Sequence, residues 1–312
     1  MDLTNIRHIV THAKCADGVA SAMILKDVLP SAKVTFLQYG ISEYLNLLAE
    51  PGMLFCDFSP PQERVSEFIS VGALILDHHK TAKAVVDAFG ANGAFGDETN
   101  DPGVCGAVLA YRHVWLPLKN HNHAEIVKTV ENFARLAGIR DTWQKNSPDW
   151  NEACYQSEAL VFWPEDELIG LNPLEWSEKL SLGKILFKRK IDWAKQCVEG
   201  SYRFISNSGT KVIIFEGTKA SSDSSEIIGN EADLVVGFNT FVEDEKIKVI
   251  YSTRSRAEFN CAEFCKSLGG GGHTKAAGFG ITISPIDPHP FYLFQNILNK
   301  YEKSQNTKVV DL

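Results

Sequence analysis

The chain has 312 residues, a hydrophobic content of 44%, a charged content of 22% and a formal net charge of -8 at pH 7. These values are ordinary for a soluble globular protein and leave room for two domains. The negative balance argues against a surface that coats long nucleic acids, because such a surface needs many lysine and arginine contacts to phosphate. It leaves open a short anionic substrate that is held by a few residues and metal ions.

The seven cysteines form no regular disulfide framework and no paired C-x-x-C motif. We therefore expect most of them to be reduced and buried. The first residues have no signal-peptide pattern, and no apolar stretch is long enough to span a membrane. The default expectation is a cytoplasmic location without membrane association.

Three short apolar segments near the beginning of the chain end in polar residues and are each followed by a helical pattern. They cover residues 7–12, 53–58 and 73–76. Alternating strands and helices predict a parallel sheet, in which ligands bind at the carboxyl ends of the strands. Asp77-His78-His79-Lys80 alone would equally fit a polar turn, but the recurrence of the pattern favours a common site. The oxygen and nitrogen donors expected at this edge suit Mn²⁺ or Mg²⁺, and they are His12, Asp17, Asp57, Asp77, His78 and His79.

The remainder of the chain predicts further α/β structure in two domains. We expect a helix from Ser42 as N-cap, a loop over residues 90–103, helices over 103–118 and 124–136, and irregular structure over 143–176. His121 and His123, in the turn between two of these helices, are interpreted as surface residues. A long helix over residues 180–197 is interpreted as a connector. The predicted organisation is residues 1–178 as one domain, 179–201 as a linker helix, and 202–312 as a smaller α/β domain.

The ordered motifs resemble those of the DHH phosphoesterase superfamily. They are His12-x-x-Cys15-x-Asp17-Gly18, the strand-end Asp57, Asp77-His78-His79 and the later Asp141. Residues 269–279, GGGGHTKAAGF, are similar to the glycine-rich signature of the DHH-associated C-terminal domain. Within the superfamily, the chain resembles phosphodiesterases of the oligoribonuclease or nanoRNase type.

The resemblance implies a role for each matching residue in the first domain. Asp57 would bridge two ions, and His12 would help to hold the first of them. Asp17, His78 and Asp141 would hold the second ion. Asp77 would orient an imidazole, and His79 would contact the scissile phosphate or protonate the leaving group. Many relatives have Asp where this chain has Cys15, so Cys15 is either a softer metal ligand or a small packing residue.

The glycine run implies a substrate-binding site in the second domain. Consecutive glycines allow close approach of the backbone, and their N–H groups can cradle an anion at Gly271 and Gly272. Arg254 and His273 would then bind a terminal phosphate. Taken alone, the run would also fit a flexible hinge.

The resulting expectation is a phosphodiesterase that uses two Mn²⁺ ions, with Mg²⁺ or Co²⁺ as substitutes. Its substrate would be a short oligoribonucleotide or a linear or cyclic dinucleotide, and its products nucleoside monophosphates. The alternatives are a phosphatase acting on polyphosphate or phosphoadenosine phosphate, and a catalytically weak nucleotide-binding sensor. A homodimer is one candidate oligomeric state.

Overall fold

The computed structural model describes residues 1–119, 124–243 and 245–310, of which 306–310 are described as backbone alone. His121 and His123 lie outside the described residues. The chain divides into two compact units, Met1–Phe187 and Lys188–Leu312. Among the described helices, none combines the length and apolar character that crossing a membrane requires.

The first unit alternates strands and helices along the chain. Its strands are β1 (His8–His12), β2 (Lys33–Leu37), β3 (Met53–Cys56), β4 (Leu74–Asp77) and β5 (Gly93–Phe95). Its first helices are α1 (Ala16–Val28), α2 (Ser42–Leu45), α3 (Val65–Ser70), α4 (Lys83–Ala88), α5 (Gly106–Ala110) and α6 (Leu116–Leu118), with a π-helical turn at Tyr111–Trp115. They are followed by α7 (Ala124–Asp141), α8 (Trp150–Phe162), α9 (Glu165–Leu168), α10 (Pro173–Lys179) and α11 (Gly183–Glu199), which contains the division between the units.

The strands of the first unit form a parallel sheet in the order β2-β1-β3-β4-β5. Side chains alternate between two buried faces. Ile9 and Leu54 pack in the core that contains α1, α5 and α7, whereas Val10 and Phe55 pack in a separate core on the other face. Burial on both faces explains why these strands appear in the sequence as continuous apolar segments.

The second unit contains a mixed sheet in the order β10-β11-β9-β8-β7-β6. Its strands are β6 (Tyr202–Ile205), β7 (Lys211–Glu216), β8 (Leu234–Glu243), β9 (Lys246–Ser255), β10 (Gly271–His273) and β11 (Ala276–Ile283). Its helices are α12 (Ser221–Ile228), α13 (Cys261–Lys266) and α14 (Pro290–Val310). Only β7 and β8 pair in parallel among the described strands of this sheet. The predicted α/β class, with a parallel sheet in the N-terminal part and a second sheet beyond it, is confirmed.

Three local predictions are wrong. Ser42 is the first residue of α2 and not its N-cap, which is Ile41, and its hydroxyl donates to the Glu43 carboxylate. The segment 143–176 is largely helical, because its prolines precede helices instead of interrupting them: Pro164 is the N-cap of α9, and Pro173 begins α10 behind an Asn172 capping box. The predicted loop 90–103 contains β5, which pairs with β4 through Gly93 and its two successors. A strand of three residues rich in small side chains gives no alternating apolar signal.

The cysteines agree with the prediction for reduced thiols. None of the seven, all within the described part of the chain, is joined in a disulfide, and six of them are buried. Cys15 is the exception, and it immediately precedes α1 at the edge of the sheet where the candidate ligands follow the strands.

Candidate metal centre

The carboxyl ends of three neighbouring strands bring the predicted ligands together. β3 pairs with β1 on one side and with β4 on the other, all in parallel. His12 ends β1, Asp57 follows β3, and Asp77 ends β4. β1 lies between β2 and β3, so the chain places β2 on one side of β1 and β3 on the other. The connections on the two sides of such a strand run in opposite directions, which opens a crevice at this edge of the sheet.

Three groups of side chains each offer one ligand atom per residue within 4.8 Å of one another. Asp57 belongs to two of the groups, and His78 also belongs to two. The groups are His12 with Cys15 and Asp57; Asp57 with His78 and His79; and Asp17 with His78 and Asp141. The structure therefore brings together all the predicted donors of the first unit except Asp77, which belongs to none of these groups among the described residues.

His78 lies at the centre of the carboxylates. Its Nε2 atom is 3.2 Å from Oδ1 of Asp57, 3.5 Å from Oδ2 of Asp141 and 3.6 Å from Oδ2 of Asp17. The His78 side chain is only 9% exposed, so these contacts are shielded from bulk water. One imidazole among three carboxylates leaves a local excess of negative charge.

The backbone of α5 fixes Asp17. The amide of Gly106 donates to Oδ2 of Asp17 at 2.6 Å, and the amide of Ala107 donates to Oδ1 at 2.8 Å. A helix N-terminus supplies unpaired N–H groups and a favourable dipole for such a carboxylate. A side chain at Gly106 would collide with Cβ of Asp57 and reach within 3.0 Å of Oδ2 of Asp17.

Asp77 orients the imidazole of His79. Nδ1 of His79 lies 2.7 Å from Oδ1 of Asp77, and the backbone amide of His79 donates to the same atom at 3.0 Å. Ser59 donates from Oγ to Oδ2 at 2.5 Å. Burial opposes ionisation of Asp77, but the hydrogen bonds from His79 and Ser59 hold its pKa below the usual range.

Burial and mutual repulsion make the other carboxylates difficult to ionise together. Burial, followed by the charges of Asp17 and Asp141, raises the pKa of Asp57 well above its usual range. Burial and Asp17 also raise the pKa of Asp141 to about 6. Burial and the nearby His79 lower the pKa of His12, which favours the neutral imidazole that binds metals.

Two buried polar atoms without hydrogen-bond partners indicate that a cation fits this site. Nδ1 of His12 and Oδ2 of Asp57 are buried without a hydrogen-bond partner. Such atoms are rare in native structures. His12 and Asp57 both belong to the candidate ligand group that includes Cys15. Burial, followed by the nearby carboxylates of Asp57 and Asp17, raises the pKa of Cys15. The donor set therefore fits divalent cations, whose charge would offset the repulsion and satisfy the orphaned atoms.

The predicted residues of the second unit lie on β9 and β10, the two strands that flank β11. Ala276 of β11 pairs with Arg254 of β9 on one side and with His273 of β10 on the other. Directly opposed residues in antiparallel strands project to the same face, so Arg254 and His273 share one face of this sheet. Burial lowers the pKa of Arg254, whose guanidinium donates to Oγ of Ser222 and Oγ of Ser252 at 3.0 Å each.

The glycine run has two structural roles that the sequence did not separate. Gly272 has φ +140°, and a Cβ there would lie 2.6 Å from the carbonyl oxygen of Ala276. Gly270 similarly lies against the backbone of β11. Gly271, in contrast, adjoins open space within β10. Gly270 and Gly272 thus permit close strand packing, and Gly271 is the position that a ligand can approach.

Sequence reasoning missed two residues that support the centre. Ser59 and Gly106 contact residues that are distant in the sequence, so local patterns do not reveal them. Only Gly106 carried a usable signal, because it is a glycine at the start of an apolar helical segment.

Comparison with known proteins supports the fold. No protein-family model matches the sequence, and no curated protein matches it either. The chain is similar to a structure described as the DHH domain of a member of a family of ribosomal proteins, with a TM-score of 0.57 and 12% identity over 90% of this chain and 84% of that one. This similarity shows that the chain has the fold of a DHH domain, which confirms the resemblance at the level of the fold.

Two other solved structures are also similar. One is a pGpG-specific phosphodiesterase from Vibrio cholerae, with a TM-score of 0.48 and 13% identity over 98% of this chain and 99% of that one. The other is RecJ from Thermus thermophilus in complex with Mn²⁺, with a TM-score of 0.49 and 16% identity over 95% of this chain and 52% of that one.

Proposed function

We propose that the chain is a Mn²⁺-dependent phosphodiesterase that hydrolyses short oligoribonucleotides or dinucleotides to nucleoside monophosphates. The observation that carries this proposal is the set of three ligand groups sharing Asp57 and His78 in the strand-end crevice of a DHH-type fold. Shared ligands suit two neighbouring cations better than one, because each cation then obtains its own group of donors.

The residues divide into two candidate ion sites. His12, Cys15 and Asp57 would hold one ion, while Asp17, His78 and Asp141 would hold the other, with Asp57 shared between them. When bound, two divalent ions neutralise phosphate oxygens and lower the pKa of water. The raised pKa of the Cys15 thiol supports oxygen and nitrogen donors as the main ligands and Cys15 as the weakest one.

His79 is suited to contact the substrate and to deliver a proton. Asp77 holds its Nδ1 atom, so Nε2 remains available for the leaving oxygen. The His79 side chain is 38% exposed, in contrast to the buried His78. Asp77 orients the His79 imidazole, as the carboxylate of a catalytic triad orients its histidine.

In the second unit, Arg254 and His273 are proposed to bind a phosphate group of the substrate. Arg254 already donates to two serines, which fixes its guanidinium within β9. Gly271 adds an open backbone position on the edge strand β10, which β11 separates from β9.

A substrate panel tests the proposal. Purified protein with Mn²⁺ is incubated with linear dinucleotides, longer RNA, cyclic dinucleotides and polyphosphate, and the products are separated by chromatography. We expect nucleoside monophosphates from the dinucleotides and no release after chelation. Asp97→Asn, which alters an exposed loop aspartate, serves as the active control. Release of inorganic phosphate from polyphosphate without hydrolysis of any dinucleotide would replace the proposal with the phosphatase alternative.

A further inference from the structure

Arg140 has unused hydrogen-bonding capacity beside the candidate metal centre. It lies in the last turn of α7, next to Asp141. Its Nε atom is buried without a hydrogen-bond partner, and within the described residues its guanidinium makes no ion pair or hydrogen bond. Instead, the guanidinium carbon lies 4.4 Å from the ring centre of Trp143 and 5.6 Å from that of Trp150. An arginine that packs against two aromatic rings and has free donors can bind an acceptor from outside the protein.

Trp143 adopts a backbone conformation that normally favours glycine. Its φ is +58°, at the position directly after the C-cap of α7. The amide of Gln144 donates to the carbonyl of Ile139 at 2.9 Å, and that of Trp143 to the carbonyl of Arg140 at 3.4 Å, which together form a Schellman motif. A bulky side chain is strained in this conformation, and such strain concentrates at functional sites. One contact that Trp143 gains in this way is its stacking against Arg140.

A cavity connects Arg140 to the metal centre. Its volume is about 160 Å³, well above the space that one water molecule needs. Its polar lining includes Cys15, Asp17, Arg140, Asp141, Gln156 and Ser157. Asp17 and Asp141 belong to one candidate ion group, so the cavity has carboxylates on one side and a guanidinium on another.

We propose that Arg140 binds a phosphoryl oxygen of the substrate or of the nucleotide product in this cavity, and that Trp143 and Trp150 position its guanidinium. The inference rests on the proposed function, because it assigns a substrate contact to the same site. A planar guanidinium matches the geometry of phosphoryl oxygens. A metal ion at Asp17, His78 and Asp141 is required for such binding, since the two carboxylates of the cavity would otherwise repel an anion.

The positive charge of Arg140 should strengthen the binding of a nucleotide and oppose the binding of Mn²⁺, and this difference provides the test. Isothermal calorimetry measures Mn²⁺ binding to the protein and then the binding of adenosine 5′-monophosphate to the Mn²⁺-loaded protein. In Arg140→Gln, loss of a charge-assisted hydrogen bond should weaken nucleotide binding about 10- to 100-fold. Mn²⁺ should bind as tightly or more tightly, because a positive charge beside its ligands has been removed. Arg140→Lys should retain part of the nucleotide affinity.

The matched control is Arg135→Gln, on the same helix, which removes an exposed ion pair with Asp149 and should leave both affinities unchanged. Unchanged nucleotide affinity in Arg140→Gln would overturn the inference. Parallel loss of Mn²⁺ and nucleotide binding with a lower unfolding temperature would also overturn it, because that result indicates a structural role.

If the Mn²⁺-loaded wild type binds no nucleotide, the inference is wrong whatever the protein hydrolyses. If it binds the nucleotide with the expected Arg140 dependence but hydrolyses no phosphodiester, only the proposed function fails.

Discussion

Among single residues, Asp57 combines an unusual backbone conformation with full burial. Its φ is +55°, its side chain is 1% exposed, and Oδ2 has no hydrogen-bond partner. Aspartate tolerates this left-handed conformation better than most residues, but the arrangement still stores strain beside two further carboxylates. Such a residue is expected to reduce stability in the absence of metal and to be needed for metal-dependent activity.

The isosteric substitution Asp57→Asn should separate these two effects. Loss of a group that only supports a metal ligand typically costs about 10- to 100-fold, so loss of a shared ligand should lower kcat/KM by at least about 100-fold. The chelated variant should unfold at a higher temperature than the chelated wild type, because it removes the cost of burying an ionisable carboxyl beside two others. Steady-state kinetics with Mn²⁺ and thermal unfolding in chelator measure the two effects. Near-normal activity would contradict the role of Asp57.

The raised pKa of Asp141 predicts that the free energy of unfolding depends on pH. Its pKa is raised to about 6, so the folded protein retains a proton that the unfolded chain has already released. The stability contribution of Asp141 is therefore largest below its usual pKa and is lost as the pH rises through about 6. We expect the unfolding temperature of the chelated protein to fall over this interval, and that of Asp141→Asn to fall less. Equal slopes for wild type and variant would contradict the assignment.

Mn²⁺ should reverse this fall of the unfolding temperature with pH, because carboxyl groups must be deprotonated to bind the ion. The increase in unfolding temperature on adding Mn²⁺ should be larger at about pH 7.5 than at about pH 5. The pKa of Asp77 is lowered, so its own contribution is lost only as the pH falls below the usual range and does not interfere. A larger metal effect at the acidic pH would argue against carboxylate ligands.

At the scale of secondary-structure elements, α5 supports the candidate metal centre through its first turn, where Gly106 lies against Asp57. Gly106→Ala would place a methyl group against Asp57 and within 2.9 Å of Oγ of Ser21. Overpacking of this kind costs about 1–3 kcal/mol, and displacement of Asp17 should reduce activity about 10- to 100-fold. The matched control is Gly170→Ala, because a Cβ there would meet open space. Thermal unfolding and kinetics of both variants check the prediction, and similar behaviour of the two would contradict it.

The strands of the site were predictable from sequence, whereas much of its support was not. β1, β3 and β4 are buried on both faces, so they appear as apolar segments whose ends mark the ligands. In contrast, α8 was obscured by the prolines on either side of it, and the π-helical turn in Tyr111–Trp115 has no distinct sequence pattern. The contacts of Asp17 with Gly106 and of Ser59 with Asp77 join distant segments, and only the folded chain determines them.

For the whole molecule, the net charge of -8 favours short substrates. A protein that contacts few phosphates releases few counterions, so its affinity changes little with salt. We expect kcat/KM for a dinucleotide to change less than about threefold between about 50 and 200 mM salt. Labelled RNAs of two to about 20 nucleotides should be degraded more slowly as their length increases. Fast processive digestion of the longer RNAs would contradict this prediction.

The hydrogen bonds from Gly106 and Ala107 to Asp17 also have a consequence for biosynthesis. They join positions 89 and 90 residues apart, and Asp141 is added later still. A chain emerging from the ribosome folds from its N-terminal part, and distant contacts form slowly. A nascent chain that ends before residue 106 has the strands that position His12, Asp57 and Asp77 but lacks the amides that donate to Asp17. Metal capture should therefore follow synthesis of α5 and α7, so that an incomplete chain exposes carboxylates without a hydrolytic centre.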